Sequence, residues 1–320
     1  MTGPGEVAAA TGDRLNVEYV LPLRWTLGQD PAELARYLGQ LSQWVDVTVV
    51  DGSEPLAFAR HDKLWGGRVR HVRPDPIDGR NGKVRGVLTG ISLSRHDRIV
   101  IADDDVRYDH DALTAVLARL EHADLVVPQN VFARWPWHAR WDTGRQLLNR
   151  CFSGDYPGTL AVRRPFVSDG YDPDVLFENL ELIRTVAGRG GRVARADDLF
   201  VDRLPPTASH FWSQRVRQAY DSFAQPGRLA IELSVLPLLW ALHRRPAAVG
   251  AAVVTVVALA ERGRRRAEGA RRFPAGAALW APVWLLERGV CSWLAVWQRL
   301  RGGVRYSDGR LPTAANRHPA

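Results

Sequence analysis

Apolar residues fall into two rhythms over residues 16–226. Short runs rich in Val, Ile and Leu, at 17–23, 45–50, 69–72, 98–102 and 125–127, have the length and β-branching of strands. Between them apolar residues recur at helical spacing. Asp30 and Pro31 supply an N-cap and a first-turn proline, and Leu34, Tyr37, Leu38 and Leu41 then share one face. Helices are likewise expected over 55–65, 83–92 and 111–120. This strand–helix alternation predicts a mostly parallel sheet covered on both faces, an α/β fold. After residue 127 the rhythm is less regular. A Trp-rich stretch with Trp135, Trp137 and Trp141 leads to 154–164. A helix is then expected over 177–186, a return to the sheet over 193–201, and an amphipathic helix over 210–223.

From Leu229 the pattern changes. Residues 229–242 are apolar except for Glu232 and Ser234, and 247–260 are apolar again after His243-Arg244-Arg245-Pro246. A run of about 14 residues makes a helix of about 21 Å, short of the roughly 30 Å of hydrocarbon that a span must cross. A third run, 274–286, leads through Glu287-Arg288 to 289–297, where Trp beside Arg is an interfacial signature. The expectation is a helical region, 227–301, held on a membrane surface as short or re-entrant helices. Residues 1–15 read as a disordered tail, Gly- and Ala-rich without a signal-peptide pattern, and 302–320 as a C-terminal tail.

Composition and charge narrow the partners. The chain has 320 residues, 46% hydrophobic and 24% charged, which is a globular composition. Its formal net charge is +8, and Arg244-Arg245, the cluster from Arg262 to Arg266, and Arg271-Arg272 all lie beside apolar runs. That placement suits an anionic membrane surface better than nucleic acid. Two cysteines, Cys151 and Cys291, imply no disulfide framework and a reducing compartment.

The strongest candidate chemistry lies at Asp103-Asp104-Asp105, directly after the apolar run Ile99-Val100-Ile101-Ala102. The carboxyl end of a buried strand is where open α/β sheets place their ligands. Carboxylates there can hold a hard divalent cation, which could screen a diphosphate. Taken alone, the same aspartates could equally form a solvated loop capping the helix from Asp111. Other motifs flank this one in order. They are V-V-D-G-S (49–53), N-G-K-V-R-G (81–86), I-A-D-D-D-V (101–106), G-T-L-A-V-R-R (158–164), F-E-N-L-E-L (177–182) and Q-R-V-R-Q (214–218).

This series resembles the family-2 glycosyltransferases of GT-A fold, with closest similarity to membrane-associated members of the ceramide-glucosyltransferase and processive-synthase type. The resemblance covers about residues 16–226, with a weaker echo at G-G-V-R-Y (302–306). It implies a Rossmann-like GT-A catalytic domain over 16–226 and an inverting transfer of a sugar from a nucleotide diphospho-sugar to a lipid or glycan acceptor. The implied setting is the cytoplasmic face of a membrane. It implies nucleotide-sugar contacts at Asp51, Lys83, Asp103, Asp104, Gln214 and Arg217. It also implies Mn²⁺ or Mg²⁺ held by Asp103 and Asp105.

Two departures from the family pattern matter. Where the family has Glu-Asp, with the second carboxylate as base, this chain has Glu178-Asn179, and a neutral amide cannot take a proton. Either Glu178 is the base, or Glu181 one turn on, or transfer chemistry is lost; the reading prefers Glu178, with Asp155 a further candidate. Gln218 stands where Trp is usual, which weakens any claim of processive synthesis. His210 is read as structural, although it could approach the metal. The alternatives are a catalytically degenerate GT-A scaffold at the membrane, which Asn179 favours, and a nucleotidyltransferase. The latter lacks a Gly-rich loop, since Pro22-Leu23-Arg24-Trp25 occupies that position.

Overall fold

The computed structural model describes residues 14–152, 154–306 and 309–316. Its first part alternates β1 (Glu18–Leu23), α1 (Ala32–Leu41), β2 (Asp46–Asp51), α2 (Pro55–Trp65), β3 (Arg70–Val72), α3 (Gly82–Ser92) and β4 (Arg98–Ala102). The chain continues through β5 (Val106–Arg107), α4 (His110–Leu120), β6 (Leu125–Phe132), α5 (Trp137–Phe152), β7 (Thr159–Arg163), α6 (Glu178–Gly188), β8 (Val193–Arg203) and α7 (Ala208–Tyr220). Three long helices follow, α8 (Pro226–Leu242), α9 (Pro246–Arg265) and α10 (Ala281–Leu300), then a hairpin of β9 (Val304–Tyr306) and β10 (Gly309–Leu311).

Eight strands form one sheet in the order β3-β2-β1-β4-β7-β6-β8-β5. The pairs β3/β2, β2/β1, β1/β4 and β6/β8 are parallel, while β7 and β5 run against their neighbours. Because side chains alternate along a strand, each strand feeds two cores. Tyr19, Leu21, Val100 and Ala102 pack with Leu34, Leu38, Leu113 and Val116 on one face. Val20, Ile99 and Ile101 pack with Val84, Val87, Leu182 and Val186 on the other. Each such side chain contributes about 1.5–3 kcal/mol on full burial, so the two layers fix β4 firmly and with it the loop that follows.

The structure revises the second half of the expected pattern. The Trp-rich stretch enters α5, a helix of 16 residues, and β6 runs eight residues instead of three. The run at 274–286 and the run at 289–297 belong largely to one helix, since α10 continues through Glu287-Arg288. Its inward side carries Trp284, Arg288, Cys291 and Ala295, all buried. α8 and α9 are separate helices, broken at His243–Arg245. α9 has 20 residues instead of about 14, and the stretch Pro246–Arg271 that contains it is long and apolar enough to cross a membrane by length and composition. The helix ends where Ala267 and Glu268 adopt positive φ.

These helices are docked on the rest of the fold through α5. The buried Arg150 of α5 donates to Gly263 O (3.1 Å), Arg266 O (2.6 Å), Asp197 O (2.9 Å) and Gln129 Oε1 (3.0 Å). At Gly263 a Cβ would fall on the Leu147 carbonyl, so only glycine allows α9 to lie this close to α5.

The last described residues do not trail as a tail. Leu176 N and Phe177 N donate to Thr313 O (3.0 Å) and Ala314 O (2.7 Å), which straps this segment beside α6. Of the expected N-terminal tail, 1–13 lies outside the described residues, whereas Leu15 N donates to Trp44 O (2.8 Å).

Candidate active site

The site forms where β4 and β7 meet. Ala102 pairs with Thr159 across the antiparallel step, bringing the aspartates after β4 against the start of β7. Asp103 N donates to Gly158 O (2.8 Å), and Gly158 N donates to Asn130 Oδ1 (2.7 Å). A Cβ at Gly158 would lie 2.6 Å from Asp103 Oδ2 and would push that carboxylate from its place. Thr159 Oγ1 donates to Ile101 O (2.7 Å), which secures the same corner.

Lys83 sits between two carboxylates from distant parts of the chain. Its ammonium bonds Asp103 Oδ1, and it lies 2.5 Å from Glu178 Oε1. The lysine is positioned by Asn81, whose side chain caps α3 by accepting from Lys83 N (3.0 Å) and Val84 N (3.4 Å). Burial would lower the Lys83 pKa, but Asp103 and then Glu178 hold the ammonium well above its usual range.

Asp105 is paired with Arg203 from the end of β8, at 2.7 Å from Nε to Oδ2. Its Oδ1 is buried without a hydrogen-bond partner. Burial raises its carboxyl, more than Arg203 lowers it. Asp104 accepts from the Trp25 indole, and burial, together with Asp105, pushes it up to about 6.

Asp51, the expected nucleoside contact, lies at the end of β2. It is fully buried, and its oxygens already accept from Ser53 N (2.8 Å) and meet His61 Nδ1 (2.7 Å) and His71 Nε2 (3.1 Å). Burial alone would raise it, but the bonds from His71, Ser53 and His61 hold it down at about 2. Its link to the aspartates runs through Trp25, whose backbone N donates to Ser53 Oγ (2.8 Å) while its indole holds Asp104.

Glu178 and Glu181 diverge, although both lie in the first turn of α6. Glu178 lines a cavity of about 150 Å³ with Asp103, Gly158, Asn179, Gln214 and Arg217. Glu181 is buried and spent on the C-terminal strap, accepting from Asn316 N (2.7 Å) and Asn316 Nδ2 (3.0 Å). Asn179 donates to Pro157 O (2.8 Å) and so fixes the loop before Gly158. Asp155 is also occupied, by Arg145 and Asn149 at 2.7 Å each. His210 is exposed and bonded to Gln214 on its own helix.

Five contributors escaped the sequence reading. Arg145 of α5, Arg203 of β8, Arg228 of α8 and Arg288 of α10 all line the cavity. Tyr306 of β9 also reaches the site: its hydroxyl donates to Asn81 Oδ1 (2.9 Å), and Arg217 lies 5.4 Å above its ring. The G-G-V-R-Y echo could have signalled the last of these.

One other set of ligand-type side chains lies close together among the described residues, Glu18, Asp46 and His96. It sits at the opposite end of the strands. Thr48, Arg95 and Arg14 already satisfy its carboxylates, as expected for a structural cluster.

Residues 47–171 match the model for Glycosyl transferase family 2. A search of curated proteins finds none significantly similar in sequence. Among solved structures, the chain is similar to a mannosyltransferase from Pyrobaculum calidifontis in complex with GDP-Man and Mn²⁺. The identity is 17%, covering 91% of this chain and 90% of that one, with a TM-score of 0.48. It is also similar to glucosyl-3-phosphoglycerate synthase from Mycobacterium tuberculosis in complex with Mn²⁺ and UDP-glucose. There the identity is 19%, over 68% of this chain and 83% of that one, with a TM-score of 0.44. Mannosyl-3-phosphoglycerate synthase from Rubrobacter xylanophilus gives 16% identity over 62% and 70%, with a TM-score of 0.42. The matched segment spans the aspartate loop and the start of β7, so the part of the chain that carries the site is similar to glycosyl transferase family 2.

Proposed function

We propose that this enzyme transfers a sugar, with inversion, from a nucleotide diphospho-sugar to a lipid or glycan acceptor at the cytoplasmic face of a membrane. The observation that carries the reading is a single cavity lined by Asp103, Glu178, Gln214 and Arg217 at the carboxyl end of β4. In such a transfer Glu178 takes the proton from an acceptor hydroxyl, whose oxygen attacks the anomeric carbon. The sugar–phosphate bond breaks in the same displacement, and its electron pair leaves on the diphosphate. Arg217 and Gln214 are placed to bind that leaving group, Arg through its planar fork.

Asp103 and Asp105 fit a divalent cation. Both are hard oxygen donors, and the orphaned Oδ1 of Asp105 is a ligand atom without another task. A bound Mn²⁺ or Mg²⁺ would supply counter-charge to the diphosphate as it leaves.

The membrane part of the proposal rests on the outward side of the C-terminal helices. Val283, Leu286, Val290, Trp293, Leu294, Trp297 and Leu300 form an exposed apolar stripe along α10, opposite its buried face. Ile231, Leu238 and Trp240 of α8 and Val253 and Val254 of α9 are exposed as well. A helix that is apolar on both sides needs a second apolar neighbour. The exposed Arg244 and Arg245 beside this surface suit anionic headgroups. Co-sedimentation of the full chain with vesicles of phosphatidylglycerol should exceed that with phosphatidylcholine, and Trp240→Ser with Trp297→Ser should reduce both. Equal recovery in the supernatant with either lipid would refute the membrane setting.

The transfer itself is tested by a screen of UDP-, GDP- and dTDP-sugars for release of nucleotide diphosphate, with and without Mn²⁺. One donor should be consumed in a metal-dependent manner. No release from any donor would leave the degenerate scaffold that Asn179 suggests.

A further inference from the structure

The cavity is electrically uneven. Near β4 every cation has an acidic partner: Lys83 with Asp103 and Glu178, Arg203 with Asp105, and Arg145 with Asp142 and Asp155. At the other end the walls are Arg217, Arg228 and Arg288, with Asn149, Asp221 and Gln225 between them. Arg288 is fully buried, and none of its three guanidinium nitrogens has a hydrogen-bond partner among the described residues. A guanidinium carries five N–H donors, so leaving all of them unpaired in an interior is costly.

Burial lowers the Arg288 pKa more than the charges of Glu232 and Glu287 raise it, and neither acid hydrogen-bonds its guanidinium. Glu232 is taken by Arg228 (2.9 Å) and Ser292 (2.8 Å). Glu287 approaches Arg215 at 3.6 Å, and neither of its oxygens is hydrogen-bonded. Asp221 has an orphaned buried Oδ1, and burial pushes its carboxyl up to about 7 in spite of Arg217, Arg288 and Arg228 around it. Near neutral pH it is therefore partly protonated, able to donate a hydrogen bond and weak as a counter-charge.

We infer that this end of the cavity binds a phosphate monoester carried by the acceptor, with Arg288 and Arg228 as the residues that hold it. The inference rests on the glycosyl-transfer reading above and narrows its acceptor from any lipid or glycan to a phosphate-bearing one. A dianion with several acceptor oxygens answers the unused N–H groups of Arg288 and the excess of cations together. A neutral sugar or lipid alcohol would leave both unanswered. Arg228 is the more accessible of the two, tied to Asn149 Oδ1 (3.1 Å) and to Glu232, and so stands at the entrance to the buried Arg288.

The test is calorimetric and does not depend on turnover. The full chain, with UDP and GDP in excess and Mn²⁺ present, is titrated with two pairs of probes: farnesyl phosphate against farnesol, and glycerol 3-phosphate against glycerol. The phosphate member of at least one pair should bind about tenfold tighter or more than its alcohol, a difference of about 1.4 kcal/mol. Preference in the lipid pair alone identifies a lipid phosphate, and preference in the glycerol pair alone a soluble one. Arg288→Gln and Arg228→Gln should each abolish the preference. Should Arg288→Gln fail to fold, judged by thermal melting, Arg228→Gln carries the test. No preference in either pair, or a preference that survives both substitutions, overturns the inference. So does phosphate binding that appears only when the nucleotides are omitted, because the arginines would then serve the donor. A chain that discriminates these pairs yet consumes no nucleotide sugar keeps the phosphate site and loses the transfer reading. The reverse result loses only the phosphate site.

Discussion

The two ends of the cavity are built on opposite principles. At the β4 end, Lys83 bridges Asp103 and Glu178, and Arg203 pairs with Asp105, so each charge is oriented by a partner from another element. At the α10 end, Arg288 is enclosed without a hydrogen bond among the described residues, and Asp221 is half-buried with an orphaned buried oxygen. A paired set holds its geometry before any ligand arrives, which suits groups that must meet a reacting centre. An unpaired set is satisfied only when something binds, which suits recognition. Acting through one cavity, the two ends separate chemistry from selection.

The sharpest way to break this comparison is at Glu178. Glu178→Gln should lower turnover by about 10²–10⁴-fold, the range for a lost general base, and leave donor affinity nearly unchanged. Steady-state rates beside nucleotide titrations check this. An equal loss of donor binding would move Glu178 from the chemistry to the donor site.

A smaller effect of another kind is expected one turn away. Glu181→Gln should cost about 1–3 kcal/mol of stability, because it weakens the bonds to Asn316 that tie down the C-terminal strap. Thermal melting should show the loss, while turnover per folded molecule changes little. If turnover falls as far as it does in Glu178→Gln, the base belongs at Glu181 and the strap reading fails.

An effect on stability alone, seen only as a change with pH, is expected at Asp221. The folded state keeps its proton to about pH 7, whereas an unfolded Asp loses it near 3.8. Between those values the folded state binds more protons, so this group's contribution to stability falls as pH rises from about 4 to about 7. Asp221→Asn should therefore melt higher, relative to the parent, at pH 8 than at pH 5. An offset that is the same at both pH values would show that Asp221 does not titrate in this window.

How far the sequence disclosed these features follows from how they are made. Strands β2 and β4 are buried on both faces, so their β-branched runs are nearly pure, and Asn81, Lys83 and the three aspartates stand at strand ends or at a helix start. α5 was hidden because it is enclosed by the sheet and by α9 and α10. It therefore buries His138, Asp142, Gln146 and Arg150, which breaks the apolar period. Arg288 looked like an interruption between two apolar runs. Its spacing from Trp284 and Ala295 on a continuous helix is what makes it an inward residue. The segment Thr313–Ala314 attaches through backbone carbonyls, which leave no side-chain pattern to read. Asp51 was legible as a strand-end carboxylate, but the two histidines that occupy it come from α2 and β3, and no local spacing announces them.

The central claim is that the β4 end receives a diphosphate through a divalent cation. The most direct measurement is calorimetric titration of UDP and GDP into the full chain, with and without Mn²⁺, for the parent and for Asp105→Ala. The account predicts that Mn²⁺ strengthens binding of one nucleotide about tenfold or more in the parent and has no effect in the variant. Binding that is equally strong without Mn²⁺, and equally strong in Asp105→Ala, would contradict it.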